Sequence, residues 1–199
     1  MRIGALVTHT EIEDSKLIAQ HAPLLKAAVP HIAHRAIRNL GTWGGSLAYG
    51  DPAAEWPACS LALNATMLIA GPNGERRISA QDFFIDLYTT SLEPDEILVA
   101  TEIPIANSKQ VFYFHELARR HGDYAVAGAA LVANKVGNIL SDCAFTFFSV
   151  GATPVMATKA QALVDGKPLN DELIALAVAA ARAEIEAIAD ITNSAETKQ

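Results

Sequence analysis

Apolar and polar positions along the chain predict a mixed architecture. Ile3 to Val7 is a short apolar run that reads as a strand. Thr10 or Asp14 is placed to cap a short helix after it. Pro23 opens a longer one, with Leu24, Leu25, Ala28 and Val29 on a single face. Ala53 to Leu63 is helix-compatible, and Ala65 to Ala70 alternates as a strand does. Gly71-Pro72-Asn73-Gly74 then predicts a hairpin turn, with Arg76 to Ser79 returning as its second strand. Phe83, Phe84, Leu87 and Tyr88 are expected on one short helical face, and Glu96 to Ile103 is a strand stopped by Pro104.

The texture changes after Asn107 to Lys109, which reads as a linker. Val111 to Glu116, Tyr124 to Asn134 and Ile139 to Val150 are three long strand candidates, the last two joined by a tight turn at Gly137-Asn138. Thr158 to Val164 predicts a short helix. Asp171 to Ala189 predicts a long one, capped by Asn170 and acidic in its first turn. Strands followed by helices give an α+β unit, a three-stranded antiparallel sheet covered by helices.

Between these elements lies the segment Gly41 to Pro52, with four glycines in ten residues, Gly41 to Gly50. Such a stretch is expected to form a loop rather than a packed helix. Bare backbone N–H groups beside the hydroxyls of Thr42 and Ser46 suit a pyrophosphate. The segment fits neither the dinucleotide-binding glycine fingerprint nor the Walker A pattern. Residue types alone leave open a pyrophosphate cradle or a purely structural turn. Trp43 reads as a wedge against a neighbouring helix in preference to an aromatic lid. Asp51 reads as a loop-holding Asx residue.

Composition narrows the partners. The chain of 199 residues carries a net charge of -7, and its fifteen Lys and Arg are scattered, so no stripe follows a nucleic-acid backbone. Apolar stretches are too short to span a bilayer. Cys59 and Cys143 are far apart and read as small core residues, which points to a cytoplasmic protein. His9, His21, His31 and His34 have no carboxylate or thiol at ligand spacing, so no metal site is predicted. Arg119 and Arg120 read as partners in surface ion pairs.

Ile37-Arg38-Asn39-Leu40-Gly41-Thr42-Trp43-Gly44-Gly45-Ser46 resembles the second FAD loop in the medium subunits of molybdenum hydroxylases of the carbon monoxide dehydrogenase and xanthine dehydrogenase type. Asp51-Pro52-Ala53-Ala54-Glu55-Trp56-Pro57, Pro94-Asp95-Glu96-Ile97-Leu98, Glu102-Ile103-Pro104 and Leu117 to Ala125 keep the family's order and spacing. The resemblance implies the second lobe of a two-lobed, PCMH-like FAD-binding domain over residues 1–106 and a small α+β domain over 107–199. It implies that FAD takes electrons from [2Fe–2S] clusters and passes them to an external acceptor. The molybdenum cofactor and the clusters would sit on a large and a small partner subunit, in a hetero-oligomer.

By position, the resemblance places Thr42, Trp43, Gly44, Gly45 and Ser46 on the pyrophosphate side. Glu55 matches an acidic residue near FAD, and Ile32 and Leu98 match apolar contacts. His115 stands where some members carry a lysine near the isoalloxazine ring. The family's upstream Gly-Gly loop and its last helix have no counterpart, so the chain is expected to be a fragment. The alternative is a truncated remnant that folds or docks with partner subunits without binding FAD.

Overall fold

The computed structural model describes residues 1–199. Strand β1 (Arg2–Gly4) is followed by helices α1 (His9–Asp14), α2 (Lys16–His21) and α3 (Pro23–Ala28), then a 3-10 turn (Val29–His31) and α4 (Arg35–Arg38). The caps are not Thr10 or Asp14. Thr8 and Glu11 form a reciprocal capping box on α1, and Ser15 caps α2. A cap must stand outside the helix, and Thr10 and Asp14 both lie inside it. Pro23 does open α3, whose Leu24, Leu25 and Ala28 are fully buried.

Next come α5 (Trp43–Tyr49), α6 (Glu55–Ala62), the hairpin β2 (Thr66–Gly71) and β3 (Gly74–Ser79), α7 (Ala80–Phe83), a small hairpin of β4 (Phe84–Asp86) and β5 (Thr89–Thr90), and β6 (Ile97–Glu102). Phe83 to Tyr88 is therefore not a helical face. Phe83 and Phe84 are buried at right angles to each other, whereas Leu87 and Tyr88 are exposed at the hairpin tip, with Tyr88 at φ 51°.

The first sheet is antiparallel in the order β1-β6-β2-β3. A bulge at Val99 changes which residues face the core. Met67 opposes Thr101 and Ile69 opposes Leu98, so Leu98 and Thr101 share a face although three positions apart.

The second sheet contains β7 (Gln110–Ala118), β8 (Ala125–Val136), β9 (Ile139–Phe148) and β10 (Val155–Met156), in the order β10-β9-β8-β7. It has four strands rather than three because Val155 and Met156 pair with Phe147 and Thr146. Helices α8 (Thr158–Val164) and α9 (Asp171–Glu184) cover Cys143, Phe145 and Phe147 on one face, and the four-residue α10 (Ala195–Lys198) follows. Asn170 caps α9 through Leu173 N at 2.7 Å. The helix ends at Glu184, short of Ala189, and the segment Ile188 to Asn193 turns back to bond Val150 and Asp190 instead.

The other face of this sheet carries Ala130, Val132 and Phe148 into the same core as α3, α5 and α6. The two halves therefore share one hydrophobic interior. The Asn107 linker is tied down as well, by Asn107 Nδ2 to Asn134 Oδ1 at 3.2 Å.

Candidate functional site: the first turn of α5 and the acid seam beside it

The glycine-rich segment is a capped helix, not a loop. Thr42 is the N-cap, and its hydroxyl accepts the Gly45 N–H at 3.1 Å. Glycine is tolerated here because the helix lies against the chain that leaves β1. A Cβ on Gly44 would stand 2.3 Å from Ala5 Cβ and 2.5 Å from Ala5 Cα. The Gly44 N–H donates to Ala5 O and the Trp43 N–H to Val7 O, both at 2.8 Å. Ser46 N–H returns to Thr42 O. The amides of residues 43 to 46 are thus bonded within the chain, and the Thr42 N–H, on the unpaired side of the Thr8–Thr42 bridge, is left to an outside acceptor. Gly45 is exposed, and Thr42 and Ser46 are partly so.

Trp43 is fully buried and forms no lid. Its Nε1 donates to Thr101 Oγ1 at 2.8 Å, and its ring lies 5.1 Å from that of Trp56. Trp56 Nε1 in turn donates to His9 Nδ1 at 3.0 Å. Burial, aided by the Arg38 charge, lowers the His9 pKa to about 4, so this imidazole is a neutral acceptor. The indole contact packs the first turn of α5 against that of α6, the helix that begins at Glu55.

Glu55 faces a second buried acid. Glu116, on β7, has a side chain only 3% exposed, and its Oε2 has no hydrogen-bond partner. Burial pushes the Glu55 carboxyl up to about 8, with Glu116 and Asp51 adding to the shift, and burial pushes Glu116 up to about 7. His31 Nδ1 is 3.4 Å from Glu116 Oε1. Ile32 is buried directly after His31, its carbonyl held by Arg38 Nη1 at 2.8 Å.

Two of the expected residues lie elsewhere. Leu98 is a core residue of the first sheet, opposite Ile69. His115 is exposed and, with Tyr113 and Leu117, lines a cavity of about 330 Å³ beneath α9. Strand alternation requires this separation, because Glu116 turns inward and its neighbours must turn out. Nor do Arg119 and Arg120 form ion pairs; Arg119 donates to Thr192 O at 3.1 Å. Asp51 does hold its turn, accepting the Ala53 N–H at 2.9 Å. No cluster of three or more His, Cys, Asp or Glu side chains has the geometry to hold a metal ion.

A cleft of about 530 Å³ escaped the sequence reading. Tyr49, Tyr88 and Tyr124 line it with Asp51, Ser149 and Asn193. Tyr49 and Tyr88 meet at 5.1 Å between ring centroids. The Asp51 charge raises the Tyr88 pKa, and burial, then Asp51, raises that of Tyr124. These tyrosines come from a helix end, a hairpin tip and a strand start, so no local pattern announces them. In the sequence, Tyr49 stands beside Gly50 and Tyr124 two residues after Gly122, the one local feature that two of them share.

The chain's similarities agree with this architecture. Residues 1–106 match the family model for the FAD binding domain in molybdopterin dehydrogenase, and residues 112–199 match that for the CO dehydrogenase flavoprotein C-terminal domain. The nicotine 6-hydroxylase medium subunit of Paenarthrobacter nicotinovorans is 38% identical over 98% of this chain and 69% of its own length. The carbon monoxide dehydrogenase medium chain of Hydrogenophaga pseudoflava is 33% identical over 98% of this chain and 68% of its own. Among solved structures, carbon monoxide dehydrogenase from Hydrogenophaga pseudoflava superposes with a TM-score of 0.95 at 34% identity, covering 98% of this chain and 68% of the other. Quinoline 2-oxidoreductase from Pseudomonas putida 86 gives 0.91 at 37% identity, with the same coverage. The chain thus spans about two thirds of the length of these relatives. It belongs to the family of FAD-binding medium subunits of molybdenum hydroxylases.

Proposed function

We propose that this chain binds FAD and serves as the electron-transfer subunit of a cytoplasmic molybdenum hydroxylase, beside a large subunit with the molybdenum cofactor and a small subunit with [2Fe–2S] clusters. Family membership along the whole chain carries this reading. The residues at the first turn of α5 fit the cofactor. Thr42 offers a free N–H, Gly45 an exposed backbone without a side chain, and Ser46 a hydroxyl. The Thr42 N–H and the Ser46 hydroxyl are neutral donors, the chemistry a pyrophosphate needs, and Gly45 leaves the backbone open to close approach. Glu55, at the start of α6, has its carboxyl pushed up to about 8 by burial, so it is protonated at neutral pH and able to donate a hydrogen bond without repelling phosphate. Trp43, Gly44, Ile32 and Leu98 support the turn, the seam and the sheet from within. Bound FAD would supply the exchange between paired and single electrons; the protein holds and orients it.

A second reading has its own observation. Because the amides of Trp43 to Ser46 are already bonded inside the chain, few donors remain for a phosphate. A chain that docks with partner subunits without retaining FAD would look the same at this turn. Gel filtration of the purified chain after mixing with FAD separates the two. About one retained flavin per chain supports the cofactor-binding reading. Complete loss of flavin, with the chain folded by circular dichroism, supports docking alone.

A further inference from the structure

The seam between α6 and the second sheet contains an acid that the fold leaves without a conventional partner. Glu116 lies on the inward face of β7 with Phe114, which stacks on Phe148; α3 packs on this strand, and the Glu116 charge acts on Glu55 and Cys59 of α6. Its Oε1 faces His31 Nδ1 at 3.4 Å, and its Oε2 meets no donor. An ionised carboxylate in that position would strand charge away from water. A proton on Oε1, donated to His31 Nδ1, turns Oε2 into a neutral carbonyl oxygen, for which an unmade hydrogen bond is tolerable.

The titratable groups that face this acid are few. From α6 come Glu55 and Cys59, and from the 3-10 turn His31, which His121 of the loop after β7 faces in turn. Asp51 acts on Glu55, and His115 acts on His31 through its charge. No Lys or Arg is among them to hold Glu116 ionised. The His31 ring packs on Phe114 at 5.1 Å and meets the His121 ring edge-on at 6.1 Å, and His121 is exposed.

We propose that Glu116 holds a proton donated to His31, and that His31 and His121 pass protons between this buried acid and solvent, making the seam a proton-exchange site next to Glu55. The transfer involves no electrons. As the Oε1–H bond breaks, a bond forms at His31 Nδ1, and the proton on His31 Nε2 leaves toward His121 and water; the reverse sequence recharges the acid. The burial that lifts both carboxyls toward neutrality favours such exchange at working pH. Assigning this proton to charge compensation during flavin reduction rests on the FAD reading; the existence of the site does not.

The test uses the full chain without cofactor. Glutamate carboxyl carbons are labelled with carbon-13 and followed by NMR through a pH titration. The expected result is two raised resonances, one near 7 that disappears in Glu116→Gln and one near 8, from Glu55, that remains. His31→Phe, which removes the acceptor of the protonated form, should bring the midpoint near 7 down toward the ordinary range. A wild-type chain with no glutamate resonance titrating near 7 beside the one near 8 overturns the proposal, and this arm needs no variant to fold. A chain that retains FAD yet lacks the resonance near 7 defeats the proton site alone; one that shows it yet loses FAD defeats the cofactor reading alone.

Discussion

Trp43 Nε1 donates to Thr101 Oγ1 at 2.8 Å, both side chains fully buried, and this bond fixes the first turn of α5 onto β6. Thr101→Val keeps the shape but leaves the indole N–H unpaired in the core. The expected loss is about 1–3 kcal/mol of unfolding free energy, read by urea denaturation. Trp43→Phe combined with Thr101→Val should cost less than the sum of the two single changes, because the double variant no longer strands a donor.

Three glycines separate structural from ligand roles. In Gly44→Ala the new Cβ meets Ala5 backbone and side chain, so the helix must shift away from β1; about 1–3 kcal/mol of stability is expected to be lost, and FAD retention with it. Gly128→Ala drives a Cβ to 2.1 Å from the Phe148 ring, on β8 and not on α5. It should destabilise by a similar amount while retained flavin per folded chain stays constant. In Gly45→Ala the contact is only the Thr42 hydroxyl at 2.7 Å, so weakened flavin binding should exceed any loss of stability. Parallel thermal melts and flavin retention measure all three.

His9 makes stability depend on pH in a defined direction. Its pKa falls from 6.5 unfolded to about 4 folded, so the unfolded chain binds more protons between those values. Stability from this group is present above 6.5 and is lost as pH falls toward 4, up to about 3 kcal/mol. His9→Gln, which preserves an acceptor for Trp56, should flatten that limb of the stability curve.

Glu116 acts in the opposite sense. Its pKa rises from 4.5 to about 7 on folding, so its contribution is complete below 4.5 and is lost as pH rises through about 7. The stability difference between wild type and Glu116→Gln should therefore change by up to about 3 kcal/mol across that window. A difference independent of pH would refute the raised pKa.

Much of the fold could be read from periodicity. The long strands β7, β8 and β9, the Pro23 start of α3 and the Asn170 cap all follow from local chemistry. The α5 helix could not, because glycine content predicts a loop, whereas here the decisive fact is the distant approach of Ala5 to Gly44. Strand β10 has two residues and no period to detect. Motif order named Thr42 to Ser46 and Glu55 as candidates, but not the direction in which each side chain points. Alternation in β7 did hold one clue. Phe112, Phe114 and Glu116 share a face, and an acid in an apolar register is where a buried carboxyl arises.

The most direct test of the account compares calorimetric affinities of the intact chain for FAD and for FMN, which lacks the pyrophosphate-linked adenosine. The account predicts FAD binding near one per chain, FAD held at least about tenfold tighter than FMN, equivalent to about 1.4 kcal/mol, and loss of that preference in Gly45→Ala. Equal affinities for the two flavins, or no binding of FAD by the folded chain, would contradict the claim that the first turn of α5 grips the cofactor.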